Sequence, residues 1–211
     1  MEQNEWCVIV HVDIGTLSGL DAVEEQMRNL VDDGKESAGT IELSVARVLG
    51  RPNHFEVIGR YESEAAYLAH LITPSNQAFR RYIAPMLGVP YEDRLHGARG
   101  PQHWPHADVG DFVVITQLEA RPASLDAALP LVDLLAESRD AAASMIGQVR
   151  LQRHHRPDNL ELVSVWASQQ AFDAYTESKE AKAAIAALEP LLLAPVIDRR
   201  NELIIGAWSA R

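Results

Sequence analysis

The chain matches itself without a gap at an offset of 105 residues, as from Pro85 to Pro190, and that duplication restricts its architecture more than any motif does. Leu20, Asp21 and Ala22 fall on Leu125, Asp126 and Ala127; Arg51 and Pro52 fall on Arg156 and Pro157; Ser63 falls on Ser168; Asp93 and Arg94 fall on Asp198 and Arg199. A period this long is well above the roughly 20 to 50 residues of solenoids and propellers, so each copy owns a small core. Two similar domains are expected, over 1–100 and 111–211, with a Gly-, Pro- and His-rich linker at 101–110. Most identities sit at turns and helix starts, so they support a shared shape more than a shared chemistry.

Each copy opens on a β-rich run, Trp6 to Val12 and Phe112 to Leu118. A helical stripe follows, Leu20, Val23, Met27, Leu30 and Val31 in the first copy and Leu125, Ala128, Val132 and Leu135 in the second. Ser18 and Ser124 are the expected N-caps of these helices. Thr40 to Val48 alternates Ile41, Leu43 and Val45 against Glu42, Ser44 and Ala46, a strand buried mainly on one face. The turns Arg51-Pro52-Asn53 and Arg156-Pro157-Asp158 lead into third strands, Phe55 to Tyr61 and Leu160 to Trp166. Ser63 and Ser168 then cap a second helix, which Pro74 interrupts in the first copy only, and fourth strands follow near Arg94 to Ala98 and Asn201 to Trp208. The order βαββαβ in each copy is the ferredoxin-like unit, so the fold class is α+β.

Composition narrows the function. A net charge of −11 opposes nucleic acid and anionic membranes, and no basic run offsets it. The apolar stretch Leu188 to Ile197 is broken by Glu189, Pro190 and Pro195 and is too short to span a bilayer. No secretory signal is apparent, and the single cysteine, Cys7, rules out an intrachain disulfide. A cytoplasmic location is the simplest expectation.

The run Phe55-Glu56-Val57-Ile58-Gly59-Arg60-Tyr61-Glu62-Ser63-Glu64-Ala65-Ala66-Tyr67-Leu68-Ala69-His70, followed by Phe79 and Pro85, resembles the antibiotic biosynthesis monooxygenase family of the dimeric α+β barrel superfamily. The second copy keeps the strand aromatic, Trp166, and Ser168, but has Tyr175 where the helix histidine stands. The resemblance implies that the two fused domains build an intrachain barrel, with a cavity between sheet and helices in each. It also implies oxygenation of a small aromatic or polyketide-like substrate by molecular oxygen, with no cofactor. The haem-degrading branch of such proteins needs an axial histidine farther along the second helix; Arg80 stands there, with Ile185 as its counterpart.

His70 is the leading catalytic candidate, a base on the same helix face as Ala66, where small side chains leave room. Tyr61 is a candidate oxyanion donor, and His11 is a further catalytic candidate: alternating with Val10 and Val12, it faces away from them, toward either the cavity or the barrel interior, with Thr116 in the same place in the second copy. Tyr67, Ser44, Trp166 and Tyr175 are candidates to line the substrate. No metal is expected: His103-Trp104-Pro105-His106 lies in a Pro-broken linker, His154-His155 lies in a hairpin turn, and no acid or Cys sits at ligand spacing. The expected activity is a cofactor-independent, quinone-forming monooxygenase. The alternatives are a non-catalytic small-molecule binding or stress-response protein of the same fold, or a polyketide cyclase or isomerase. Edge strands leave a homodimer open.

Overall fold

The computed structural model describes residues 5–99 and 104–208, which form two compact units. The first gathers the described part of Met1–Ala98 with Asp108–Gly110 and Glu202–Trp208; the second gathers Asp111–Asn201 with the described part of Arg99–Ala107. The chain is α+β, two fused ferredoxin-like domains.

The first unit runs β1 (Trp6–Asp13), α1 (Leu20–Lys35), β2 (Thr40–Val48), β3 (His54–Tyr61), α2 (Glu64–Leu71), α3 (Pro74–Ile83) and β4 (Glu92–Ala98). Its strands lie in the order β4-β1-β3-β2, all pairs antiparallel. Alternation along β1 sends Val8, Val10 and Val12 to the helices, where they meet Val23, Met27, Leu30 and Val31 of α1 and Phe79 and Ile83 of α3 in one core. The amphipathic stripe read from the sequence is the buried face of α1.

The second unit runs β5 (Phe112–Glu119), α4 (Leu125–Asp140), β6 (Met145–Arg153), β7 (Asn159–Trp166), α5 (Gln169–Thr176), α6 (Lys179–Leu188) and the 197–201 part of β8 (Ile197–Ile205), with strands in the order β8-β5-β7-β6. Its apolar interior falls into two clusters. Leu118, Val132, Leu135, Leu160 and Leu188 form one, and Phe112, Trp166, Phe172 and Tyr175 form the other. No helix among the described residues is long and apolar enough to cross a membrane.

Several local expectations need correction. The break expected at Pro74 divides the second helix of the first copy in two, and the second copy, where no break was expected, is divided as well. Pro74 lacks an amide hydrogen and pushes Thr73 into an extended conformation, from which Thr73 Oγ1 caps α3 by accepting from Asn76 N at 3.3 Å. The second copy breaks at the same place without a proline, because Ser178 adopts the same extended backbone and caps α6 through Ala181 N at 3.1 Å. Ser63 and Ser168 cap α2 and α5 as read, at 3.2 and 3.1 Å from Ala66 N and Ala171 N. Ser18 does not cap α1. Gly19 holds that position with φ +76°, a left-handed backbone that costs glycine little, and Ser124 stands at the start of α4 without a side-chain cap bond.

Strand β2 is buried on both faces in its middle, since Ser44 and Ala46 are as inaccessible as Leu43 and Val45. Strand β8 begins and ends earlier than expected. Gly206 terminates it at φ +83°, where a Cβ would lie 2.7 Å from Leu43 O, and Trp208 lies beyond, donating from Nε1 to Ser44 Oγ at 2.7 Å. The described part of the expected linker is well packed, with Trp104 and Ala107 both buried.

The copies also differ by one residue in their first strand. Trp6 pairs with Tyr61 and Phe112 with Trp166, so β1 and β5 correspond at an offset of 106 although β3 and β7 correspond at 105. Six residues join β1 to α1 and five join β5 to α4, which absorbs the difference. The counterpart of His11 is therefore Gln117, not Thr116, and Thr116 takes the place of Val10. A one-residue slip exchanges the faces of a strand, so this correction matters for the site.

Candidate functional site

Between the helix side of the first sheet and α1, α2 and α3 lies a cavity of about 20 Å³, walled by Val8, Val10, Leu30, Leu43 and Val57. Its polar lining is Tyr61, Tyr67, His70, Asn76, Arg80, Tyr91 and Asp93. The room exists because two glycines face it or border it. A Cβ on Gly59 would lie 2.8 Å from the Tyr61 hydroxyl, and one on Gly34 would lie 2.6 Å from Leu43 Cδ2 and 3.4 Å from His70 Cε1.

Short helix α2 presents Tyr67 and His70 to the cavity, three residues apart on one face. Tyr61, at the end of β3, stands edge-on to Tyr67 with ring centroids 5.4 Å apart and 5.5 Å from the His70 ring. His70 is only 2% exposed, and its Nε2 lies 2.9 Å from Asn76 Nδ2 at the start of α3. Asn76 Oδ1 accepts from Arg80 Nε at 2.7 Å, and Arg80 Nη2 donates to both oxygens of Asp93 on β4 at 2.8 Å. The Arg80 guanidinium also covers the Tyr91 ring at 4.4 Å.

Burial, and next the charge of Arg80, hold His70 below the ordinary imidazole value, with Asp93 opposing in part. Burial also raises Tyr61, Tyr67 and Tyr91, and the Asp93 carboxylate adds to this at all three. At neutral pH the lining is thus a neutral imidazole, three protonated phenols, a guanidinium and its paired carboxylate. Such a lining offers hydrogen-bond donors to a ligand oxygen.

The structure brings His70, Tyr61 and Tyr67 together. His11 projects from the opposite face of β1, where its Nδ1 meets Glu56 Oε2 and Arg94 Nη1 lies 2.6 Å from Nε2. Gln117 repeats this in the second unit, between Glu161 Oε1 at 3.4 Å and Arg199 Nε at 3.4 Å, so the arrangement belongs to the duplicated framework. Ser44 is likewise on the face away from the cavity, bonded to Trp208 and Ile58 O.

Trp166 and Tyr175 occupy the second unit and mark how it differs. Trp166 Nε1 donates to Ser164 Oγ at 2.9 Å, where the first unit has Gly59 below Tyr61. The Trp166 ring packs 5.2 Å from Phe172 and 5.1 Å from Tyr175. Arg139 stands where the first unit has Gly34; it is 1% exposed, donates to Thr116 Oγ1 at 2.8 Å, and lies over the Phe172 and Tyr175 rings. Tyr175 hydrogen-bonds Ser138 at 2.6 Å and borders an open groove walled by Ala142, Ala171 and Ser178.

Asn76, Arg80, Tyr91 and Asp93 are site residues that the sequence reading did not select. The available signal was Asn76 and Arg80 at i, i+4 beside the apolar stripe of Phe79 and Ile83, a polar pair on an inward helix face. Among the described residues no three His, Cys, Asp or Glu side chains come together in a way that would hold a metal ion, and His103 lies outside them.

The profile of the antibiotic biosynthesis monooxygenase family matches residues 18–82 and 111–187, one stretch in each unit. The chain belongs to that family. Its fold is shared over full length with a candidate monooxygenase from Fusobacterium nucleatum, at 10% identity and a TM-score of 0.82, covering 100% of this chain and 97% of that one. It is also similar to an anthrone oxidase-like protein, at 16% identity and a TM-score of 0.71, covering 99% and 94%. A candidate monooxygenase from Lactobacillus acidophilus matches at 11% identity and a TM-score of 0.67, covering 98% and 100%. No curated protein matches the sequence.

Proposed function

We propose that the first unit oxygenates a phenolic or polycyclic aromatic substrate to a quinone with molecular oxygen and no cofactor. Family membership supports a monooxygenase-like activity, and the observation that carries the finer reading is the cavity itself. Apolar walls enclose a donor set, Arg80, Tyr61 and His70, suited to holding an oxyanion away from water.

The chemistry needs a substrate that is itself the reductant. Loss of a proton from a ring CH2 that is conjugated with a carbonyl, as in an anthrone, gives a phenolate-like enolate, which passes one electron to O2; the radical pair then joins as a peroxide at that carbon. Protonation and loss of water leave the new carbonyl, so one oxygen atom enters the product and the other leaves in water with both hydrogens of the original CH2. The protein's part is to hold the oxyanion and exclude solvent.

A cavity of about 20 Å³ admits a water-sized molecule, well below the roughly 300 Å³ at the low end of ligand sites. Substrate entry therefore requires the walls of the cavity to move apart. The test is oxygen uptake with anthrones and dihydroxynaphthalenes in chelator-treated buffer. Uptake by the wild type, reduced by about 10²-fold in His70→Ala and preserved in Tyr175→Phe, is the expected result. Thermal stabilisation by these compounds with no oxygen consumed would replace the proposal with ligand binding alone.

A further inference from the structure

The hydrogen bonds beneath His70 determine which of its nitrogens carries the proton. Arg80 Nε has only a hydrogen to offer, so the Asn76 atom 2.7 Å away is the amide oxygen. The other end of that amide is then a donor, and it lies 2.9 Å from His70 Nε2. A hydrogen on Nε2 would set two donors face to face, so Nε2 is bare and the ring proton of the neutral imidazole resides on Nδ1. Nδ1 is buried and has no acceptor in the protein, while the ring it belongs to lines the cavity. Arg80 is itself held on the far side by both oxygens of Asp93 and by the Tyr91 ring.

We propose that Asp93, Arg80 and Asn76 form a polar relay that fixes the His70 proton on Nδ1, so that His70 meets the substrate as a hydrogen-bond donor to its oxyanion and not as the base, with Asn76 the positioning residue. The relay stands on geometry alone; only the identity of the oxyanion rests on the oxygenase reading. Tyr61, Tyr67 and Tyr91 remain protonated, Arg80 has no lone pair to offer, and the one carboxylate of the lining, Asp93, is engaged by Arg80 and by the Tyr67 hydroxyl. The cavity therefore takes a phenolate or enolate that has already ionised in water, and selects acidic phenols and anthrone-like ketones over weakly acidic ones.

The direct test is nitrogen-15 NMR of histidine-labelled protein near neutral pH, with His70 assigned by its loss in His70→Gln. The expected wild-type pattern is a protonated Nδ1 and a bare Nε2; a protonated Nε2 overturns the proposal before any variant is made. In Asn76→Asp the carboxylate accepts from Nε2–H and still accepts from Arg80, so the two nitrogen signals should exchange character, and an unchanged pattern removes Asn76 from its role. The same variant should bind a nitrophenolate probe about tenfold more weakly, because a lone pair now faces the anion; undiminished affinity would refute the donor role. Oxygen uptake on these samples separates the two ideas. A wild type with Nδ1–H and no uptake keeps the relay and ends the oxygenase reading, whereas uptake with Nε2–H does the reverse.

Discussion

Single positions divide the two copies more sharply than their backbones do. In the repeat His70 corresponds to Tyr175, Tyr61 to Trp166, Gly34 to Arg139 and Gly59 to Ser164. Each change puts more atoms into the second unit where the first keeps room, except that Tyr175 also removes the titratable imidazole. That imidazole carries a pH signature. Burial and Arg80 lower its folded pKa beneath the ordinary value near 6.5, so between the two values the unfolded chain binds a proton that the folded chain does not. Stability then rises with pH across this window: the cost is absent above about 6.5 and grows as pH falls through the depressed folded value. Urea titrations of wild type and His70→Gln should show the wild type losing stability relative to the variant on acidification below about 6.5. A difference independent of pH would mean that His70 titrates normally.

At the level of elements, α2 is the short piece that carries Tyr67 and His70 to the site. It has eight residues, and short helices draw their stability from caps and packing more than from propensity. Ser63 supplies the cap, so Ser63→Ala should weaken α2 by about 1 kcal/mol and speed amide exchange in Tyr67 to Leu71 about fivefold. Exchange in α1 should stay unchanged; equal acceleration there would show that the two helices open as one. The cap at Ser63 was legible in the sequence because it is a local pattern, as were the hairpin turns and the stripe on α1. The slip of β1 against β5 was not, since one residue fewer before α4 leaves both strands equally apolar, and only pairing with β3 or β7 shows it. Likewise His70, Tyr61 and Tyr67 were found from one continuous motif, whereas Asn76, Arg80 and Asp93 join them from α3 and β4, elements whose meeting no local pattern announces.

For the whole molecule, duplication of the fold does not imply duplication of the site. The lining of the first cavity is replaced piece by piece at the matching positions of the second unit. Asn76 becomes Ala181, Arg80 becomes Ile185 and Tyr67 becomes Phe172, so the relay to the helix histidine is gone along with the histidine. Phe172, Trp166 and Arg139 are all under 2% exposed there and stack on one another, leaving Asp198 to hold Thr116 at 2.5 Å where Asp93 holds Arg80. The family profile matches a stretch of each unit even so. The chain should accordingly bind one aromatic oxyanion, not two. Calorimetric titration with a nitrophenolate is expected to give one site per chain, to lose it in Arg80→Leu, and to keep it in Trp166→Phe, which alters only the packed unit. Two equal sites, or a site that survives Arg80→Leu and disappears in Trp166→Phe, would place the working chamber in the second unit and leave the glycines of the first without a purpose.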